Sequence, residues 1–94
     1  MSIAIKIVGN ALGMPTPHDG RYVREVAWDV DQDGRCEITS AANASEAKRF
    51  DDFLKATEFW KTQSKVRPMR PDGKPNRALT AYTVEIAEVP ERKM

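Results

Sequence analysis

This sequence has one cysteine, no long hydrophobic run and no large excess of charge of either sign. Because Cys36 is alone, an intramolecular disulfide and a multi-cysteine zinc site are excluded, which favours a reducing, cytoplasmic setting. The most apolar stretch, residues 2–8, is interrupted by Lys6 and is too short for a spanning helix or a signal-peptide core. The net charge of +1 means that any charged binding site has to be local.

What the sequence does contain is the composition of a small globular protein. With 40% apolar and 31% charged residues, the 94-residue chain is neither a disordered nor a membrane sequence. Its length fits one core, so we predict a single soluble domain over residues 1–94. Pro90 ends the last patterned segment, and we expect the tail, residues 90–94, to be frayed.

Segments that alternate apolar and polar residues predict the strands. Ile3 to Val8 alternates in β-branched residues, Arg21 to Val30 places Tyr22, Val26, Trp28 and Val30 on one face, and Leu79 to Val89 forms a long last strand. A further short alternation surrounds Cys36 and Ile38. Asp33-Gly34 separates it from the second strand and predicts a tight hairpin turn, since glycine takes the positive φ that such a turn requires.

The segment from Asn43 to Ser64 allows two interpretations. One helix could begin at Asn43, with Glu46 completing a capping box. Alternatively, residues 46–50 form a short strand and Asp51 or Asp52 caps a helix. The second is favoured because acidic residues at a helix start complement its dipole. Either way a helix covers roughly residues 52–63, and the proline-rich residues 64–77 form a loop.

These elements predict an α+β fold, in which one helix packs on one face of a small, mainly antiparallel sheet of four to five strands. Three stretches of the chain also resemble small uncharacterised proteins encoded by bacteriophages and prophages, over about residues 3–88. The stretches are His18-Asp19-Gly20-Arg21-Tyr22, Ala47-Lys48-Arg49-Phe50 and Arg70-Pro71-Asp72-Gly73-Lys74-Pro75-Asn76-Arg77. The resemblance implies a bacterial or phage cytoplasmic setting and supplies no catalytic, cofactor-binding or partner-binding residue.

A short acidic motif, residues 29–34, matches the opening of a calcium-binding EF-hand loop. Asp29, Asp31 and Asp33 occupy its first, third and fifth positions, and Gly34 permits the bend. The twelfth position is Ser40 instead of glutamate, and the flanks alternate as strands do. The pattern therefore favours a hairpin turn, and we predict neither a metal site nor a cofactor.

Six cations and one acidic residue, Asp72, lie within residues 61–77. Such a loop could follow a phosphate backbone, although it contains no aromatic residue that could stack on bases. A solvated surface loop is the favoured interpretation. The candidate nucleic-acid contacts are Lys65, Arg67, Arg70, Lys74 and Arg77.

Cys36 and His18 are a candidate nucleophile and base, with Asp19 to orient the histidine. Cys36 shares a strand face with Ile38, however, and is better explained as a small buried hydrophobic residue. We therefore predict that the protein is not an enzyme.

The aromatic residues of the predicted helix suggest a different kind of site. Trp28, Phe53, Phe59 and Trp60 offer more aromatic surface than one helix on a small sheet needs. We therefore expect either Phe59 or Trp60 to be exposed as a partner surface. The leading hypothesis is a binding or accessory module that recognises another protein, or itself, through a sheet edge or this helix face. The alternative is nucleic-acid binding by the loop of residues 61–77.

Overall fold

A computed structural model describes residues 2–90, which form a four-stranded antiparallel sheet with one helix on it. The strands are β1 (Ser2–Asn10), β2 (Tyr22–Ala27), β3 (Glu37–Ala41) and β4 (Tyr82–Val89), in the order β3-β2-β1-β4. The helix α1 (Phe53–Trp60) lies over β1 and β4. The α+β class is confirmed, and the possible fifth strand does not form.

The core lies between α1 and the odd-numbered side chains of β1. Ile3, Ile5 and Ile7 are at most 3% exposed and pack with Ala56 of the helix. Across the β1–β4 ladder, Ile5 lies opposite Ile86, which extends this apolar face onto β4. The period-two pattern of the isoleucines therefore decides which face of the sheet the helix covers.

The favoured interpretation of residues 43–64 is confirmed for the helix and wrong for the strand before it. The Asp52 carboxylate accepts a hydrogen bond from Lys55 N at 2.8 Å and caps α1. Residues Ala44–Glu46 instead form a 3₁₀ turn. The segment that follows fills the gap where β1 and β2 diverge, because Lys48 N donates to Val23 O and Phe50 alone bridges Ile3.

The hairpin of β2 and β3 is confirmed, and the chain turns at Asp31–Gly34, where Gly34 N donates to Asp31 O at 3.2 Å, but the strands do not pair as far as this turn. Strand pairing ends at Ala27 and Glu37, so a loop of residues 28–36 connects the strands, and Cys36 lies just outside β3. Gly34 does have a positive φ, 76°. Within this loop Val30 N donates to Arg35 O at 3.0 Å, and the loop also packs against another part of the chain.

The last strand begins three residues later than its sequence pattern predicts. Ala78–Ala81 form a 3₁₀ turn that places Leu79 in the core, where it is 1% exposed. Its carbonyl accepts a hydrogen bond from Trp60 Nε1 at 3.0 Å. Of the tail predicted to be frayed, residues 91–94 lie outside the described residues. None of the described helices is long and apolar enough to cross a membrane.

Candidate functional site: two docked loops and an open sheet edge

The three aspartates of the calcium-like motif point to different partners. Asp29 accepts hydrogen bonds from Ser64, whereas Asp31 accepts from backbone N–H groups of its own turn. Asp33 forms an ion pair with Arg67 at 2.9 Å. Residues 2–90 contain no cluster of three or more acidic, histidine or cysteine side chains suited to a metal.

The loop of residues 28–36 docks onto the basic loop, residues 61–77. Asp29 is the contact at one end, where its carboxylate accepts from Ser64 Oγ at 2.6 Å and from Lys65 N at 3.1 Å. At the other end, Asn76 Nδ2 donates to the carbonyls of Asp33 and Arg67. Ser64 is 7% exposed within this contact, which shows that the two loops pack closely.

The docking changes the electrostatics of the basic loop. Arg67 is paired with Asp33, and Arg70 lies 3.2 Å from Asp72. Within residues 2–90, the remaining candidate contacts make no ion pair; they are Lys65, Lys74 and Arg77. Three of the five predicted nucleic-acid contacts are thus unpaired cations, and they lie beside a loop that brings carboxylates to the same surface.

The candidate catalytic residues make separate contacts. Both oxygens of Asp19 accept from Thr16, and this lowers the pKa of the carboxyl. His18 Nδ1 lies 2.8 Å from Ser40 Oγ. Burial raises the pKa of the Cys36 thiol, which disfavours the nucleophilic thiolate. None of the contacts described for residues 2–90 joins the histidine to the cysteine, so their geometry does not support a catalytic dyad.

The proposed aromatic partner surface is largely packed against the core. Phe59 is half-buried, with ring centroids 5.3 Å from Trp28 and 5.2 Å from Phe50. Trp60 is half-buried and hydrogen-bonded to Leu79. The expectation that one of the two is exposed is therefore wrong, because each has a core partner.

The exposed apolar residues of α1 lie in its first turn. Phe53 is 49% exposed and Leu54 is 67% exposed. Phe53, Thr57 and Trp60 follow one another at i, i+4 and i+7 and so share one flank of the helix. Since Trp60 bonds to the turn that precedes β4, this flank faces β4, whereas Phe59 faces the opposite side.

The ladder around β1 determines where the backbone groups of β4 point. Ile3 and Phe50 exchange two N–H···O=C bonds, and Ile7 N donates to Arg21 O. The odd residues of β1 therefore direct their backbone groups away from β4. In an antiparallel pair these directions alternate along the strand, so the even residues of β1 bond to β4.

The partners of those even residues are the odd residues of β4. Ala4 lies opposite Ala87, and Lys6 lies opposite Glu85. The alternation then sends the backbone groups of the even residues of β4 outward, to the edge of the sheet. In the described part of the chain no backbone hydrogen bond involves these outward groups, which belong to Val84, Ile86 and Glu88.

The two edges of the sheet differ in how they are protected. β4 is eight residues long and contains neither proline nor lysine, the residues that commonly blunt an edge. β3 has five residues, and the Arg21 guanidinium donates to Ser40 O. The edge of β4 is therefore the longer and more accessible template for another strand.

The sequence pattern did not single out this edge. Alternation in residues 79–89 predicts the strand, but it does not say which strands neighbour it. The absence of proline and lysine within residues 82–89 was the one available signal of an unprotected edge. No protein family model, no curated protein and no solved structure matches this chain.

Proposed function

We propose that this chain is a non-enzymatic binding module that recognises an extended strand of polypeptide by pairing it with the open edge of β4. The observation that carries the proposal is the row of outward backbone groups on Val84, Ile86 and Glu88, which have no backbone partner within residues 2–90. Such a row binds an extended chain through main-chain hydrogen bonds, as in other strand-addition complexes.

The position of α1 supports the same edge. An added strand would continue the sheet beneath the helix flank that contains Phe53, which is half-exposed. Main-chain bonds would then provide affinity, and apolar side chains on the helix side of the added strand would contact Phe53. The proposed surface therefore combines the sheet edge with Phe53, and not with Phe59 or Trp60 as the sequence predicted.

A catalytic role has less support. The thiol of Cys36 has a raised pKa, and Asp19 is engaged by Thr16 instead of orienting His18. We place the module in the cytoplasm because its single cysteine fits a reducing compartment. The phage or prophage origin remains a prediction from the resemblance of the sequence.

Selection from a displayed library of short random peptides tests the proposed function. Glu88→Pro removes an outward N–H group without touching the β1 ladder, and Glu88→Ala, the matched control, removes the same side chain but keeps that group. Peptides selected on the wild-type protein should bind Glu88→Ala equally well and bind Glu88→Pro about tenfold more weakly or worse. Peptides that bind all three proteins alike would place the binding surface elsewhere.

Nucleic-acid binding is the second candidate function, and the unpaired cations Lys65, Lys74 and Arg77 favour it. Labelled single- and double-stranded oligonucleotides, titrated at low and moderate salt, test this candidate. The candidate requires binding that falls steeply with salt and is lost when the three cations are replaced by alanine. An absence of binding at low salt would eliminate it.

A further inference from the structure

We infer that the strand that pairs with β4 is the β4 strand of a second copy of this chain, antiparallel to the first about a twofold axis at Ile86. This inference rests on the proposed function and names the partner of that edge. A twofold dimer requires a surface that is complementary to itself. An edge strand meets this condition when a register exists that matches its outward groups and separates its like charges.

The outward groups limit the possible registers. Hydrogen-bonded pairs must join outward residues, which are the even residues of β4, and residues directly opposite each other lie on the same face of the sheet. An axis at Glu85 places this glutamate opposite its own copy on the open face, which is destabilising. An axis at Val84 or at Ala87 pairs a shorter part of Tyr82–Val89.

The axis at Ile86 avoids both problems. It places Ile86 opposite its own copy, Val84 opposite Glu88, and Glu85 opposite Ala87, so no glutamate directly faces another. Lys6 already lies opposite Glu85 on the neighbouring strand β1 and offsets its charge. This register combines a long overlap with acceptable charge placement, which is the reason for choosing a second copy as the occupant.

The positions of the helices are a second reason to choose a second copy as the partner. In this arrangement the two four-stranded sheets join into one continuous sheet, and both helices lie on the same face of it. Adjacent strands are about 4.8 Å apart, and α1 lies over β1 and β4, so the two helix axes come within about 10 Å. Helices pack at about 8–10 Å, and the flanks that meet are those carrying the exposed Phe53.

Sedimentation velocity over a range of protein concentrations tests the second copy as partner. The wild-type protein and Glu88→Ala should form dimers with similar affinity. Glu88→Pro should weaken the dimer by about tenfold to a hundredfold, because the twofold symmetry removes the hydrogen bond from both copies. Far-ultraviolet circular dichroism confirms that each variant is folded. A dimer that is equally strong in all three proteins would overturn the inference.

Disulfide trapping tests the register independently of the proline variant. In a Cys36→Ser background, Ile86→Cys should give a covalent dimer on mild oxidation, because the paired Cα atoms would lie about 5.5 Å apart, within the range for a disulfide. Val84→Cys is the matched control, since it is on the same face of the same strand and is also half-buried. Cross-linking of Val84→Cys in preference to Ile86→Cys would contradict the axis.

The outcomes separate this inference from the proposed function. A wild-type protein that stays monomeric at all concentrations, but binds selected peptides in a manner abolished by Glu88→Pro, would reject the second copy and retain strand addition. A dimer that is insensitive to Glu88→Pro, together with peptides that do not distinguish the variants, would reject both. A dimer weakened by Glu88→Pro and trapped through Ile86→Cys would support both.

Discussion

Asp29 holds the two docked loops together through an unusual backbone conformation. Its φ is 53°, the only positive value among the non-glycine residues of the described chain. Aspartate tolerates this region better than most residues because its short polar side chain can bond locally. Here the carboxylate accepts from Ser64 Oγ and Lys65 N instead, so the turn serves a contact between distant parts of the chain.

The charge of Asp29 should make docking depend on pH. The hydrogen bond from Ser64, followed by the one from Lys65 N, lowers the pKa of this carboxyl. Because the folded-state pKa is below the unfolded value, the stabilisation is complete above the unfolded pKa and is lost as pH falls through the folded one. Urea unfolding should show that Asp29→Asn is less stable than wild type at neutral pH.

That difference should shrink below the ordinary aspartate pKa. Asparagine also tolerates positive φ, so the variant isolates the charge from the backbone. Asp72→Asn serves as the control, because it removes a carboxylate from the basic loop without affecting a contact of Asp29. If the stability difference between wild type and Asp29→Asn stays constant from neutral to acidic pH, the charge of Asp29 does not stabilise the contact between the loops.

Position 34 requires glycine for two reasons: its φ is positive, and neighbouring atoms leave no room for a side chain. A Cβ atom built there would overlap Ser64 Oγ and would lie 2.7 Å from Asn76 Nδ2. Gly34→Ala should therefore lower the free energy of unfolding by about 2–4 kcal/mol, measured by urea denaturation. Gly20→Ala is the matched control, since Gly20 has a similar φ of 74° but no atom within 4 Å, and it should cost only about 1–2 kcal/mol.

Equal losses in the two glycine variants would mean that the loop contact is loose. For the individual residues of the acidic motif, the sequence pattern predicts a hairpin turn at Asp33-Gly34 with the other aspartates facing water, whereas Asp29 contacts Ser64. Their partners, Ser64, Arg67 and Asn76, are more than thirty positions away in the chain. Local patterns contain no information about such a pairing, because it depends on how the sheet brings the two loops together.

At the level of elements, the start of α1 depends on one capping side chain. Asp52 accepts from Lys55 N, whereas Asp51 forms an exposed ion pair with Lys55. Asp52→Ala should lower the free energy of unfolding by about 1 kcal/mol because a backbone N–H loses its partner. Asp51→Ala, the neighbouring control, should change it little, since exposed ion pairs contribute weakly. Thermal unfolding of both variants measures the difference. A larger loss of stability for Asp51→Ala would show that Asp51, and not Asp52, caps the helix.

The segment before α1 shows where element prediction fails. Its sequence allowed a strand over residues 46–50, but only Phe50 forms a bridge. The reason is that β1 and β2 diverge below the Lys6–Tyr22 pair, leaving a wedge that accepts one bridging residue and the hydrogen bond from Lys48 N to Val23 O. The strand propensity of residues 46–50 cannot reveal this gap, because the gap is formed by two other strands, β1 and β2.

For the whole molecule, the open edge of β4 makes a prediction about hydrogen exchange. In dilute solution the N–H groups of Glu85 and Ala87, which bond to β1, should exchange slowly, and those of Ile86 and Glu88 should exchange quickly. Raising the protein concentration should slow Ile86 and Glu88 selectively as dimers form. Residue-resolved exchange by NMR measures both effects, and protection of Ile86 and Glu88 that does not depend on concentration would show that the edge is covered within one chain.

The sequence alone predicted the α+β class and the face of β1 that meets the core, and it limited the helix cap to Asp51 or Asp52. These features depend on alternation and on neighbouring residues, such as Ile3, Ile5 and Ile7 in β1 or Asp52 before α1. For the start of β2 the predicted face was wrong, because a bulge between Val23 and Glu25 places Val23 in the core and leaves Tyr22 on the opposite face, beside Lys6. Three features follow from the three-dimensional arrangement instead: the aspartate motif contacts the basic loop, Phe59 and Trp60 pack against the core, and β4 is an open edge. Each of these depends on which distant segments become neighbours, and that follows from the strand order, which a periodic pattern does not encode.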